Sequence, residues 1–184
     1  MKILNFGSCN IDFVYKLDHI VTIGETETSN SKPVFPGGKG LNQSVALAKA
    51  GMEGYHAGCI GSEGDLLTAV LKSKGVDISN IIFVEVKTVL DVIQVSRNGD
   101  NSIFLYSGSN AKITEEFVDE VLDKFQKGDM LLLQNEINKI DYIIEKAYKK
   151  GMCIIFIPSK YKDEIKNLDF NMLSFKIIKE VQLS

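Results

Sequence analysis

Apolar positions along the chain fall into short runs separated by amphipathic stretches, the texture of alternating strands and helices. Residues 2–7 make a run the length of a short buried strand. A turn rich in glycine follows at 36–40, and the small-residue helical pattern behind it closes on Gly51. Residues 55–61 predict a second strand, 65–74 a helix closed by Gly75, and 81–84 a third short strand. A helix is predicted from about Thr114, with Glu115 and Glu116 in its first turn, where negative charge complements the helix dipole. Residues 130–134 form a core strand, 141–150 a helix closed by Gly151, and 153–157 another core strand. The chain then turns at Pro158-Ser159-Lys160-Tyr161, and 171–173 and 175–178 are weaker strand candidates. Strands separated by helices predict a mostly parallel sheet with helices on both faces.

Two segments depart from that rhythm. Residues 13–35 hold β-rich pieces at 13–15 and 21–23, then partial alternation from Gly24 to Phe35 that suits a solvent-exposed ribbon. Residues 89–96 and 102–107 flank Arg97-Asn98-Gly99-Asp100-Asn101, and Asn-Gly between β-rich arms is a hairpin signal. The hairpin and the 13–35 excursion together predict a second, smaller sheet.

Composition narrows the function classes. With 184 residues, 45% of them hydrophobic, one domain with a sizeable core is expected. A net charge of −3, with both signs mixed along the chain, argues against a nucleic-acid binder acting through a positive field. Two His and three scattered Cys (Cys9, Cys59, Cys153) give neither zinc-ligand spacing nor a disulfide framework, so reduced, buried thiols are expected. The chain shows no membrane-length apolar run and no signal peptide, so a cytoplasmic location is expected.

Candidate chemistry sits just past strand ends. The turn Gly37-Gly38-Lys39-Gly40 lets backbone approach a ligand closely, and the helix behind it offers free N-terminal amides. It is not a P-loop, because the spacing of that motif is absent; the bland alternative is an ordinary βα corner. Asn10 and Asp12 follow the first strand, and Glu136 follows the 130–134 strand. In an open α/β sheet such positions converge on one crevice. Asp12 and Glu136 accept hydrogen bonds, Asn10 and Asn42 both donate and accept, and Lys39 only donates. That mixture suits a polyhydroxylated ligand, although Asn10 and Asp12 also fit a simple turn. His56, at the start of a strand, is expected to be structural or exposed rather than catalytic.

Taken in order, these pieces resemble the ribokinase-like (PfkB-type) carbohydrate kinase family. Gly7-Ser8-Cys9-Asn10-Ile11-Asp12 is similar to its G-S-x-N-x-D start, and Gly24-Glu25-Thr26 to its G-E-T. Residues 37–46 resemble its first signature. Gly108-Ser109-Asn110-Ala111 is similar to its G-A-N-A, and Leu133-Gln134-Asn135-Glu136 to its L-Q-x-E. The resemblance implies a Rossmann-like α/β domain over 1–184 with a small β lid inserted as approximately 13–35 and 88–107. It further implies sugar contacts from Asn10, Asp12, Gly38, Lys39, Asn42 and Glu136, and transfer of the ATP γ-phosphoryl to a sugar hydroxyl, ribose the first guess. Homodimerisation through the lid is also implied, and the sheet edge that a shortened fold leaves bare is a separate expected place for self-association.

The same comparison shows departures. The family's G-A-G-D signature, carrying its catalytic base, is not found in the chain. Ile178-Lys179-Glu180-Val181-Gln182 stands where the family has N-E-x-E, Ile157-Pro158 has lost the asparagine of N-P, and Glu63 and Leu66 replace an aspartate and a glycine. The expectation is therefore an N-terminal part of the fold whose C-terminal part is missing. Such a chain is catalytically incomplete by itself, with no catalytic or metal-binding residue assigned and with ATP and Mg²⁺ implied only for the full-length family. The alternatives are a non-catalytic sugar-binding or protein-interaction fragment, and one half of a split kinase with a separate C-terminal half as partner.

Overall fold

The computed structural model describes residues 1–158 and 168–177. Strands β1 (Ile3–Phe6), β4 (Gly54–Ile60), β5 (Asp77–Phe83), β8 (Met130–Leu133), β9 (Cys153–Phe156) and β10 (Phe175–Lys176) form a six-stranded sheet in the order β10-β9-β8-β1-β4-β5. Every pairing in it is parallel. A second sheet, ordered β3-β2-β6-β7, comprises β2 (Asn10–Lys16), β3 (Val34–Gly37), β6 (Val89–Val95) and β7 (Asn101–Tyr106). The predicted hairpin is its β6–β7 pair, antiparallel as expected, whereas β2 and β6 run parallel. The helices are α1 (Lys39–Lys49), α2 (Asp65–Ser73), α3 (Glu115–Leu122) and α4 (Ile140–Lys149).

Alternation along the strands separates two cores. From β1, Leu4 and Phe6 face one side, where Ala57, Leu131, Leu133, Ile154 and Phe156 meet residues of α3 and α4. The rings of Phe6 and Phe117 meet edge to face there, with centroids 5.7 Å apart. On the other side Ile60 joins Leu41, Leu67 and Leu71 from α1 and α2, together with Cys9 and Ile11. Full coverage on both faces explains why the sheet strands are continuous apolar runs rather than alternating ones. Thr114 caps α3 by accepting from the Phe117 amide at 3.2 Å.

Four sequence expectations need correction. Residues 21–23 form no strand; they lie in the loop after β2, where the Val21 amide bonds the Gln94 side chain at 3.0 Å. Of the alternating stretch 24–35, only Val34–Gly37 pairs as a strand, with an isolated bridge between Lys16 and Ser31. The candidate at 171–173 is not a strand: Phe170–Met172 make a 3₁₀ turn, because Asp169 accepts from the Asn171 amide and bends the chain. The third strand is longer than 81–84, since Asp77 already pairs with Tyr55. Ser159-Lys160-Tyr161 and Ile178-Lys179-Glu180-Val181-Gln182 lie outside the described residues.

Candidate active site

The sheet order places its switch point between β1 and β8. From β1 the chain builds outward through β4 and β5, then returns to build β8, β9 and β10 on the other side. Open α/β sheets bind ligands beyond the strand ends at such a point. Ser8 follows β1 and Glu136 follows β8, and there the Ser8 hydroxyl donates to Glu136 Oε2 at 2.6 Å. The Lys39 amide donates to the same oxygen at 3.1 Å. The Lys39 ammonium is paired with Glu136 Oε1. Burial pushes the Glu136 carboxyl up, but the hydrogen bonds from Lys39 and Ser8 outweigh it and hold the group below its ordinary range. One carboxylate thus fixes the first residue of α1 against the end of β1, while two of the three ammonium protons stay free for an acceptor ligand.

The turn before α1 is shaped by close approach. Gly38 adopts φ 91°, in the left-handed region that disfavours a side chain. A Cβ on Gly40 would lie 2.4 Å from the Ser8 amide nitrogen, so only glycine lets α1 sit directly on the loop after β1. A Cβ on Gly37 would lie 2.2 Å from both carboxylate oxygens of Asp12. The Asp12 carboxyl therefore occupies the space that a side chain at Gly37 would fill.

Asn10 and Asp12 are the first and third residues of β2, not members of a turn, and so share one face of it. Ile11 and Phe13 take the opposite face and join the α1–α2 core. Asn10 is held on both ends: Asn110 Nδ2 donates to its Oδ1 at 2.9 Å, and its own Nδ2 donates to Asp91 Oδ2 at 2.9 Å. Asn110 Oδ1 in turn accepts from the Cys9 amide at 3.2 Å. Asp91 stands directly across from Asp12 in the β2–β6 register. Burial, followed by the neighbouring Asp91 and Glu136 charges, pushes the Asp12 carboxyl up to about 6. Burial also raises Asp91, offset in part by its bond from Asn10. Asn42 is exposed on the first turn of α1, its amide bonded to the Gly38 carbonyl at 3.0 Å.

Below the turn lies a buried polar chain. Asn5 Nδ2 donates to the Gly40 carbonyl at 2.6 Å and to Ser44 Oγ at 2.8 Å, and Gln134 Nε2 donates to Asn5 Oδ1 at 2.9 Å. Ser44 Oγ lies 2.8 Å from His56 Nδ1, and Cys9 Sγ lies 3.1 Å from Nε2. His56 is fully buried, so of the two sequence alternatives it is the structural one. Burial drives its pKa down to about 4 and pushes the Cys9 thiol up to about 12, which keeps both neutral.

The structure thus brings Asn10, Asp12, Gly38, Lys39 and Glu136 to one crevice and sets Asn42 on the adjacent helix turn. The sequence reading had not assigned Ser8, Asp91 or Asn110 to the site. Asp91 carried a signal: a carboxylate inside the apolar arm Val89-Leu90-Asp91-Val92. Among the described residues, the only three-residue group of metal-ligand side chains within mutual reach is His19, Glu25 and Glu27. It belongs to the β2–β3 loop rather than to the crevice. A charged depression between α3 and α4 is internally paired, Lys146 with Asp119 and Lys150 with Asp123. No helix among the described residues is long and apolar enough to cross a membrane.

Fold and crevice define a parallel α/β protein with a polar, oxygen-accepting site at its switch point. The model of the pfkB family carbohydrate kinases matches residues 1–156, and the chain belongs to that family. It is 32% identical over 158 residues to the ribokinase of Haemophilus influenzae, covering 83% of this chain and 52% of the relative. It is also 32% identical over 160 residues to that of Bacillus subtilis, covering 83% and 54%. Among solved structures, ribokinase from Cryptococcus neoformans var. grubii in complex with ADP aligns with a TM-score of 0.88 at 31% identity, covering 99% of this chain and 57% of that one. The chain spans about half the length of the curated relatives it matches.

These likenesses correct the expectation of an N-terminal part defined by a missing C-terminal part, catalytically incomplete and without ATP or Mg²⁺ of its own. The ribokinase fold runs through 99% of the chain, including a sheet covered on both faces, and the aligned structure is itself an ADP complex. Kinase and transferase descriptors apply to the family.

Proposed function

We propose that this chain supplies the acceptor site of a ribokinase-type sugar kinase, transferring the terminal phosphoryl of ATP to a sugar hydroxyl, with ribose the first acceptor. The observation that carries this reading is Glu136 holding Lys39 beside Asn10 and Asp12 at the β1/β8 switch point. A neutral polyol needs donors and acceptors in alternation, and this crevice offers both. Asp12 accepts from sugar hydroxyls, the free ammonium protons of Lys39 and the side-chain amide of Asn42 donate to hydroxyl oxygens, and Gly38 leaves room for the ring. Bound ATP with Mg²⁺ supplies the phosphoryl group and neutralises its charge. The residues of this crevice bind, orient and shield the acceptor. The small sheet, approximately 13–35 and 88–107 within a single 1–184 domain, covers the acceptor on this reading.

The test is calorimetric titration of ribose, followed by coupled measurement of phosphoryl transfer from ATP in the presence of Mg²⁺. Saturable binding that weakens at least tenfold in Lys39→Ala supports the reading, and the absence of saturable binding by any pentose overturns it.

A homodimer through the small sheet is the second part of the proposal. Ile103, Phe104, Leu105 and Tyr106 of the edge strand β7 are exposed, as is Phe35 of β3. Exposed apolar side chains along an edge strand suit pairing with a second copy of the chain. Sedimentation should show a dimer that Phe104→Lys dissociates; a monomer at high concentration would refute it.

A further inference from the structure

Asp12 and Asp91 present an unusual cross-strand pair. They are direct register partners on adjacent parallel strands, so their side chains leave the same face of the small sheet. Like charges placed opposite one another destabilise a sheet. Each nevertheless keeps one carboxylate oxygen, Oδ1 in both, buried with no hydrogen-bond partner. Asp91 Oδ2 is already satisfied by Asn10 Nδ2. On the other side of Asp12, the carboxyl fills the space that a side chain at Gly37 would take. Two carboxyls confined in this way are relieved by one proton held between them.

We propose that Asp91 is a positioning residue of the acceptor site: it shares one proton with Asp12, and that proton sets how strongly Asp12 accepts a hydrogen bond from the sugar. The inference rests on the reading of Asp12 as a sugar ligand. When the pair holds its proton, Asp12 is the donor, because Asp91 already receives the Asn10 amide, and Asp12 turns its O–H toward Asp91. When the proton leaves, both carboxylates need donors, and a sugar hydroxyl supplies one to Asp12. Sugar binding and release of this proton are thereby linked. The other charged groups facing the pair are Glu136 after β8 and Lys39 from α1. Phe35 of β3 and Leu105 of β7, the register partners on the outer strands, bring no charge. The upward displacement of Asp12 to about 6 places the changeover close to neutral pH.

Two measurements test this in parallel. Carboxyl ¹³C titration of the ligand-free protein should show Asp12 titrating near 6 in the wild type and clearly lower in Asp91→Asn, whose amide is isosteric and donates to Asp12. Calorimetry with ribose should show affinity falling about tenfold between pH 7 and pH 5 in the wild type, as a single competing proton requires, and by a clearly smaller factor in Asp91→Asn. A purely structural Asp91 would change affinity without moving the midpoint. Asp12 titrating below 5 in the wild type, or an unchanged pH profile in Asp91→Asn, overturns the proposal. If ribose fails to bind at any pH, the acceptor-site reading falls, and the titration alone still decides the shared proton.

Discussion

The Ser8 hydroxyl and the Glu136 carboxylate meet at 2.6 Å although 128 positions separate them in sequence. That contact joins the ends of β1 and β8 and leaves the second carboxylate oxygen for Lys39. In Glu136→Gln the ammonium loses its charge-assisted anchor, and ribose affinity should fall by about 10- to 100-fold, the range for a charged hydrogen bond. Calorimetry checks it, with circular dichroism confirming that the fold persists. An unchanged affinity would remove Glu136 from the site.

His56 gives the fold an acid-sensitive point. Its folded pKa lies near 4 and its ordinary value near 6.5, so the unfolded chain binds the extra proton between those limits. Stability is therefore full above about pH 6.5, is lost as pH falls through that window, and levels off below about 4. The loss amounts to about 3 kcal/mol for a displacement of this size. Urea unfolding at pH 5 and pH 7.5 should show about 2 kcal/mol of this loss in the wild type and a smaller difference in His56→Gln. The comparison also cancels the opposite contribution of Asp12, whose raised pKa favours the fold on the acid side.

Two glycines of one turn should fail in different ways. Gly40→Ala drives a methyl into the Ser8 backbone, which cannot yield cheaply, so a loss of roughly 1–3 kcal/mol is expected in thermal or urea unfolding. Gly37→Ala displaces the Asp12 carboxyl instead. Its main effect should be on ribose affinity, with a smaller change in melting temperature. Equal effects on both readouts for both variants would contradict this division.

The start of α3 offers a control remote from the crevice. Thr114→Ala removes the acceptor of the Phe117 amide and should cost about 1 kcal/mol of unfolding free energy, with ribose affinity unchanged.

The elements legible in the sequence were those whose environment is uniform. The runs at 130–134 and 153–157 are apolar because both faces of the sheet are covered, and such runs need no partner to be recognised. The same logic failed at 21–23, where β-branched residues lie in a loop held by the Gln94 side chain. It failed again at 171–173, where a local bond from Asp169 overrides apolar content. In the crevice, glycines and polar groups past strand ends pointed to Lys39, Asp12 and Glu136. Asp91 escaped because its significance comes from register: nothing local announces that β6 runs parallel to β2 with the two aspartates opposed. Asn110 escaped for the same reason, since its partners Cys9 and Asn10 lie about a hundred positions away.

Half of the small sheet, β2 and β3, interrupts the chain between β1 and α1, entering through Ser8-Cys9 and leaving through Gly37-Gly38. The groups proposed to face the sugar are therefore also the ropes by which that half is moored. A tilt of the small sheet pulls on Asn10 and on the first turn of α1 together, and a ligand gripped by both resists the tilt. Seating the ligand and setting the angle of the sheet become a single mechanical coordinate, with Glu136 as the fixed cleat on the larger body.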